Sequence, residues 1–374
     1  VEDFMNYQIT TVMQEYTPEM DQLLFYLPLA GSAFKKVYFD PSKQRAVSTF
    51  VPTEDLVVPY TASDLETCER ITHVVKMSYN EVRSHQLAGF YRDIELKAGD
   101  PTNTDVADKV DELEGIRQGN VEMMYELLEF HVSMDVPGFE DPDGYHLPFI
   151  ITVDRTSSQI LSIRRNYREG DPLKTKVQYF VHYKFLPGLG FYGFGLIHMI
   201  GGLSRTATGA LRQLIDAGTL ANLPAGFKAR GLRIRDDETP LQPGEFRDVD
   251  APGGALRDSL IPLPYKEPSA TLMQLLGFCV EAGQRFASIT NMNVGEGNQE
   301  MPVGTTMALL EQGTRVMSAV HKRLHYAQKL EFQILARLFS EYLPPEYPYQ
   351  VVGGDQAIKQ SDFDDRVDVI PVSD

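Results

Sequence analysis

The longest regular pattern in the sequence lies in residues 305–343, and it constrains the fold more than any other feature. Apolar or small residues recur there in steps of three and four, at positions 310, 313, 317, 320, 324, 327, 330, 334 and 338. Such spacing over about ten turns predicts one continuous helix. At ~1.5 Å per residue this helix would be roughly 58 Å long. Its apolar seam therefore needs neighbours along the whole length, either from the same chain or from a second subunit.

The composition is that of a folded chain with a sizeable core. The 374 residues are 43% hydrophobic and 23% charged, which argues against disorder and collagen, and the length suggests roughly two to three domains. Cys68 and Cys279 are the only cysteines, so we expect two buried thiols and a reducing assembly environment. Pro and Gly interrupt the longest apolar stretches, and none reaches the roughly 18–20 residues of a membrane span. We therefore expect no membrane association.

The first 185 residues predict one α+β domain. Residues 1–30 have helical spacing of apolar side chains, and we expect Pro28 to end that helix. After it, β-type residues alternate with turn residues in short segments. These patterns predict a hairpin over 33–51, a strand at 73–77, a helix at 79–88, and a β-meander over 125–134, 147–154 and 159–166 with a turn at Asp141-Pro-Asp-Gly.

The second half is organised differently. A helical stripe over 196–222 precedes short Pro- and Gly-rich strands and turns at 227–263, which include a basic run. A second helix at 268–289 and a polar loop at 291–304 then lead into the long helix. Two helices with a small β-rich module between them are difficult to bury within one chain. This order of elements therefore predicts assembly into a ring or stack.

Few residues match the motifs of enzymes or metal sites. Gly188-Leu-Gly-Phe-Tyr-Gly193 has dinucleotide-loop spacing but lacks the βαβ context, so a hinge or close-packing turn is favoured. No phosphate-binding loop with Lys is present, and no carboxylates stand out as a catalytic pair. His321 and His325 are spaced as in some zinc sites but lack the general-base Glu, which favours a basic solvated surface. We therefore expect a non-enzymatic protein with no catalytic residues, no cofactor and no metal.

Three stretches in the middle of the chain resemble a known family. They are Phe191-Tyr-Gly-Phe-Gly-Leu-Ile-His, Leu214-Ile-Asp-Ala-Gly-Thr-Leu-Ala-Asn and Ala225-Gly-Phe, with supporting similarity in 20–40, 52–60 and 302–313. Here the sequence resembles the portal, or head-to-tail connector, proteins of tailed double-stranded DNA bacteriophages, in particular the short-tailed (podovirus) type. The resemblance covers nearly the whole chain.

The resemblance implies an α+β fold with portal-like architecture. Its parts would be a wing (1–195), a first stem helix (196–223), a clip (224–266), a second stem helix (267–290), a tunnel loop (291–303), a long wing helix (304–343) and a return segment to the wing (344–374). The crown that normally ends such proteins is not evident after residue 343. We expect the parent protein to extend beyond both Val1 and Asp374.

The resemblance also implies functional residues. The channel-facing tunnel loop would consist of Asn291, Met292, Asn293, Val294, Gly295, Glu296, Gly297, Asn298, Gln299 and Glu300. Lys322 and Arg323 are candidates for contact with DNA phosphates. The clip would dock the packaging motor through Lys228, Arg230, Arg233 and Arg235, although these side chains fit the solvated face of a strand equally well.

The implied function is a ring, usually of twelve subunits, at one capsid vertex of the virion, assembled in the host cytoplasm. DNA would enter and leave through it without sequence specificity, and its partners would be the terminase large subunit, head-tail adaptor and tail proteins, and major capsid and scaffolding proteins. Twelve chains of net charge −17 sum to −204, which favours sliding of DNA over tight binding. Two alternatives remain: a soluble nucleotide-binding enzyme using the 188–195 loop, and a generic oligomeric adaptor unrelated to DNA.

Overall fold

The computed structural model describes residues 1–96, 124–222, 226–228, 233–234, 249–250, 260–262, 269–286, 303–351, 354–363 and 371, apart from the single positions 42, 143 and 169. Of the residues that the structure describes, 43% are helical and 27% are in strands, so the fold is mixed α and β as the sequence predicts. The chain divides into two units. The first comprises Val1–Ile197 and Leu310–Asp374, and the second comprises His198–Leu309.

The first unit contains an antiparallel sheet of three strands and another of five. The smaller sheet has the order β2-β1-β8, and the larger has the order β3-β4-β5-β6-β7. The predicted hairpin, strand and meander are all confirmed, and Gly144 N–H donates to Asp141 O at 3.1 Å in the predicted turn. The strands are β1 (Ser32–Asp40), β2 (Arg45–Val51), β3 (Leu56–Val57), β4 (Arg70–Met77), β5 (Tyr125–Met134), β6 (Leu147–Asp154), β7 (Ile160–Arg165) and β8 (Phe180–Lys184).

The N-terminal region differs from the single helix that the sequence predicts. Helix α1 (Glu2–Tyr7) continues into a π-helical turn (Gln8–Val12), and α2 (Tyr16–Ala30) begins only after a break at Met13. Pro28 lies inside α2 and does not end it. One missing N–H in the last turn removes only one helical bond. The helix instead ends at Gly31, whose left-handed backbone (φ +85°) allows its N–H to reach Leu27 O at 2.8 Å.

The long helix forms where the apolar periodicity predicts it. We number the remaining helices α3 (Tyr79–Leu87), α4 (Leu196–Asn222), α5 (Ala270–Phe286) and α6 (Val303–Tyr342). The predicted helix at 79–88 is thus α3, which starts with a capping box between Ser78 and Glu81. Along α6, the predicted seam positions Val320, Ala327, Ile334 and Leu338 are buried in the first unit.

An aromatic cluster joins α1 to the segment that follows α6. Strands β13 (Glu346–Val351) and β14 (Gly354–Lys359) form an antiparallel hairpin. The Phe4 ring lies 5.3 Å from Phe339 and from Tyr349, and 5.7 Å from Phe363, measured between ring centroids. These edge-on contacts hold α1, the end of α6 and the hairpin together.

In the described part of the second unit, four short strands lie between α4 and α5. Strands β9 (Gly226–Lys228) and β12 (Leu260–Pro262) pair, as do β10 (Arg233–Ile234) and β11 (Val249–Asp250). The predicted order of a helix, short strands and a second helix is therefore present. Within the described ranges, no helix combines the length and apolar character needed to cross a bilayer.

Candidate functional site

The 188–195 segment is a close-packing turn, one of the two structures favoured by its sequence. An added Cβ at Gly193 would lie 2.4 Å from Gly31 O, and one at Gly195 would lie 2.2 Å from Leu29 O. At Gly188 it would lie 2.0 Å from Tyr192 O. These glycines are required because main chain packs directly on main chain. Their open sides are therefore occupied by protein and do not form a cradle for a pyrophosphate.

The two candidate phosphate contacts, Lys322 and Arg323, line the same cavity in the first unit. This cavity of about 630 Å³ lies between β8 and α6. Arg323 Nη1 donates to Phe185 O at 3.2 Å, whereas Lys322 is exposed. The charged residues that line the cavity are Lys184, Lys322, Arg323, Arg337, Asp64 and Glu66. With four cations and two carboxylates, the lining is locally basic within a chain of net charge −17.

A buried ion pair anchors α6 to the small sheet. Lys35 Nζ lies 3.2 Å from Glu331 Oε1, and both side chains are 0% exposed. Ser48 Oγ donates to Glu331 Oε1 at 2.6 Å, and Tyr183 OH donates to Glu331 Oε2. Burial and the nearby Glu331 charge raise the pKa of Tyr183 well above its usual value, so its hydroxyl stays protonated as a donor. The carboxylate therefore has partners on three elements: β1, β2 and β8.

A second polar cluster connects the two sheets. Lys36 on β1 donates to both carboxylate oxygens of Glu129 on β5, at 2.7 and 2.9 Å, and His131 Nε2 lies 2.7 Å from Glu129 Oε1. Burial alone would raise the pKa of Glu129, but Lys36 and His131 hold it well below its usual value. His73 on β4 pairs in register with Glu129. Burial, followed by the Lys36 charge, lowers the pKa of His73 to about 3.

The lowered pKa of His73 makes stability depend on pH. Because the unfolded chain takes up a proton near pH 6.5 and the folded chain does so only near 3, His73 contributes stability above pH 6.5 that is lost as the pH falls toward 3. When the pH is lowered from 7 to 5, we expect the free energy of unfolding of His73→Gln to fall by roughly 2 kcal/mol less than that of the wild type. Urea unfolding at both values measures this difference. The exposed His146, replaced in the same way, should behave like wild type, and equal losses in all three proteins would contradict the prediction.

The other predicted site residues are distributed over the chain. Lys228 lies on β9 and Arg233 on β10, whereas Arg230, Arg235 and the tunnel-loop positions 291–300 lie outside the described residues. His321 and His325 are on the solvated side of α6 as expected, with their Nε2 atoms 3.0 Å apart. In the described part of the chain, no three His, Cys, Asp or Glu side chains cluster as metal ligands do. Cys68 and Cys279 are free and buried, as predicted.

The helices of the second unit expose apolar side chains in the single chain. On α5, Met273 is 64% exposed and Phe278 is 66% exposed, while Cys279 between the two sides is buried. On α4, Leu211 and Ile215 are exposed in this unit, and so is Ile197 at the end of the first unit. At 100° per residue they lie roughly 100–140° around the helix from buried Ala210. Contiguous exposed apolar side chains are typical of surfaces that another molecule covers.

Sequence reasoning identified the helices but missed the two buried polar clusters. Lys35 and Lys36 are adjacent, as in a solvated strand, and Glu331 is 296 positions from Lys35, so no local spacing indicates the pair.

Among known proteins, no family model matches the sequence, and no match to a curated protein was found.

Proposed function

We propose that this chain is the portal subunit of a short-tailed, double-stranded DNA bacteriophage. Copies of it form a ring, usually of twelve subunits, at one capsid vertex, through which the genome is packaged and later ejected. The proposal is supported by the family-like segments at 191–198, 214–222 and 225–227. It is also supported by the order α4, short strands, α5 and α6, which follows the stem, clip, stem and wing-helix order of that family.

The observation that carries the proposal is the position of the exposed apolar residues on α5. At 100° per residue, Met273 and Val280 lie on one side of the helix, and Leu275 and Phe278 lie roughly opposite. A helix with apolar residues on two opposite sides needs a neighbour on each. In a ring, every subunit has two neighbours in head-to-tail contact. A second copy on either side of α5 would therefore cover both stripes.

Electrostatics favour a conduit over a tight DNA binder. A ring of twelve chains carries a formal charge of −204 from twelve times −17, which repels phosphates wherever acidic groups face the channel. Repulsion with few local cations gives weak, sequence-independent contact, whereas many Lys or Arg contacts would bind DNA tightly. In this proposal the 291–303 loop faces the duplex and Lys322 with Arg323 make limited phosphate contacts. Energy for translocation comes from a separate terminase that docks at the clip.

Electron microscopy of the purified full chain tests the proposal. We expect hollow rings with a central channel wide enough for duplex DNA. Phe278→Glu should abolish them, since burying an unpaired carboxylate between subunits costs several kcal/mol. Gln274→Glu adds the same charge one turn before Phe278, on the polar edge of α5 that carries the exposed Glu281–Arg285 pair, and should leave the rings intact. Monomers under all assembly conditions, or rings unaffected by Phe278→Glu, would contradict it.

A further inference from the structure

His321 and His325 are pre-arranged on α6 as a pair. They are one helical turn apart on the same face, their ring centroids are 4.2 Å apart, and the rings are inclined at 62°. The two Nε2 atoms lie 3.0 Å from each other and lie on the exposed side of the helix. Here both rings turn the same nitrogen toward one point.

The distance between the two nitrogens selects a coordination geometry. A metal–imidazole bond is about 2.0–2.1 Å long, so two nitrogens 3.0 Å apart subtend an angle of about 95° at a shared metal ion. A tetrahedral ion would require a separation of about 3.3–3.4 Å. An angle near 90° is that of neighbouring ligands in a square-planar or tetragonal site, which is the preference of Cu²⁺ and Ni²⁺.

We propose that His321 and His325 form a two-imidazole site for a divalent transition metal, with Cu²⁺ preferred over Ni²⁺ and Ni²⁺ over Zn²⁺. Water completes the coordination, because the described part of the chain holds no group of three or more His, Cys, Asp or Glu ligands. The ion replaces the hydrogen bond between the rings: the donor imidazole moves its proton from Nε2 to Nδ1, and both Nε2 lone pairs then face the metal. The metal site lies within a single chain and does not depend on the proposed twelve-subunit assembly.

The surroundings of the pair allow a cation to bind. Arg323 is roughly 200° around the helix from either histidine, and its guanidinium binds Phe185 O at 3.2 Å, away from the pair. Lys322 is exposed, so water and salt screen its charge. Glu331, fixed by the buried ion pair, holds this part of α6 in place. A rigid helix lowers the entropy lost when both rings bind one ion.

Titration of the full chain with Cu²⁺ tests the site, followed by electron paramagnetic resonance and visible absorption. We expect one site per chain with a two-nitrogen equatorial signature. His321→Gln and His325→Gln should each weaken binding by at least about tenfold without changing helical circular dichroism. The matched control His146→Gln removes an exposed histidine that lies 3.1 Å from Asp135, and it should not alter the signature.

Competition by other metals checks the geometry independently of the affinity. Bound Cu²⁺ should exchange most readily with added Cu²⁺. Ni²⁺ should displace it less readily, and Zn²⁺ should displace it least readily. A two-nitrogen signature that survives both histidine substitutions would overturn the site, as would a signature lost with His146→Gln alone. Zn²⁺ binding tighter than that of Ni²⁺ would overturn the right-angled geometry.

Discussion

Replacing Glu331 with alanine should lower the free energy of unfolding by roughly 3–5 kcal/mol. The substitution leaves the Lys35 ammonium with 0% exposure and without its carboxylate. It also removes the acceptor for the Ser48 and Tyr183 hydroxyls. An uncompensated buried charge is more costly than the loss of the ion pair itself, because water cannot reach it. Urea or guanidinium unfolding of the purified chain measures the change.

Two further variants separate the buried charge from a general loss of packing. The double variant Lys35→Met with Glu331→Met removes both charges and keeps most of the volume, so it should be clearly more stable than Glu331→Ala. Glu341→Ala breaks the partly exposed pair with Arg168 and should cost at most about 1 kcal/mol. If Glu331→Ala cost no more than Glu341→Ala, the ion pair would not anchor α6.

The second large effect is expected for Gly31→Ala. Gly31 has φ +85°, where an L-residue is strained by about 1–2 kcal/mol. Its Cβ would also lie 2.2 Å from Gly195 N and 2.3 Å from Phe194 C. Because these are backbone atoms that cannot move aside alone, overpacking adds about 1–3 kcal/mol. We expect a total loss of roughly 2–5 kcal/mol, measured by thermal and denaturant unfolding.

Gly138 provides the matched control for the steric contribution. Its φ of +86° is nearly the same as that of Gly31, but nothing lies within 4 Å of the Cβ position. Gly138→Ala therefore carries the conformational strain without the overlap and should cost only about 1–2 kcal/mol. The difference between the two variants isolates the close approach of the 193–195 backbone. Equal losses would show that the approach contributes nothing to stability.

The elements that the sequence predicted are those with a sustained period. The periodicity predicts helix α6 to within two residues at its start and one at its end, because apolar residues at steps of three and four have one helical solution. The strands of the meander were predicted from β-branched and aromatic runs between turn residues. The apolar spacing continues across the break after Val12, so the pattern does not indicate it. Pro28 does not end α2, because one missing N–H near a helix end is inexpensive.

The buried ion pair of Lys35 and Glu331 is less predictable from the sequence, since it joins distant parts of the chain. Lys35 lies on the core side of β1 with Ala33 and Val37, all three at 0% exposure, but its neighbour Lys36 makes the segment look solvated. Glu331 falls beside the apolar seam of α6, where a charge is ordinarily assigned to the surface. The spacing of His321 and His325 in the sequence places them on one face of a helix. The 3.0 Å separation of their Nε2 atoms follows only from the folded structure.

The first unit consists of two chain segments, so its two parts are synthesised at different times. Lys35 leaves the ribosome 296 residues before Glu331, a delay of about 15–60 s at typical rates of protein synthesis. During that interval the whole of residues 198–309 is made, so the inserted unit is complete before the surrounding one can close. A nascent chain must therefore keep the Lys35 ammonium unpaired and the small sheet uncovered in solution until α6 has been synthesised.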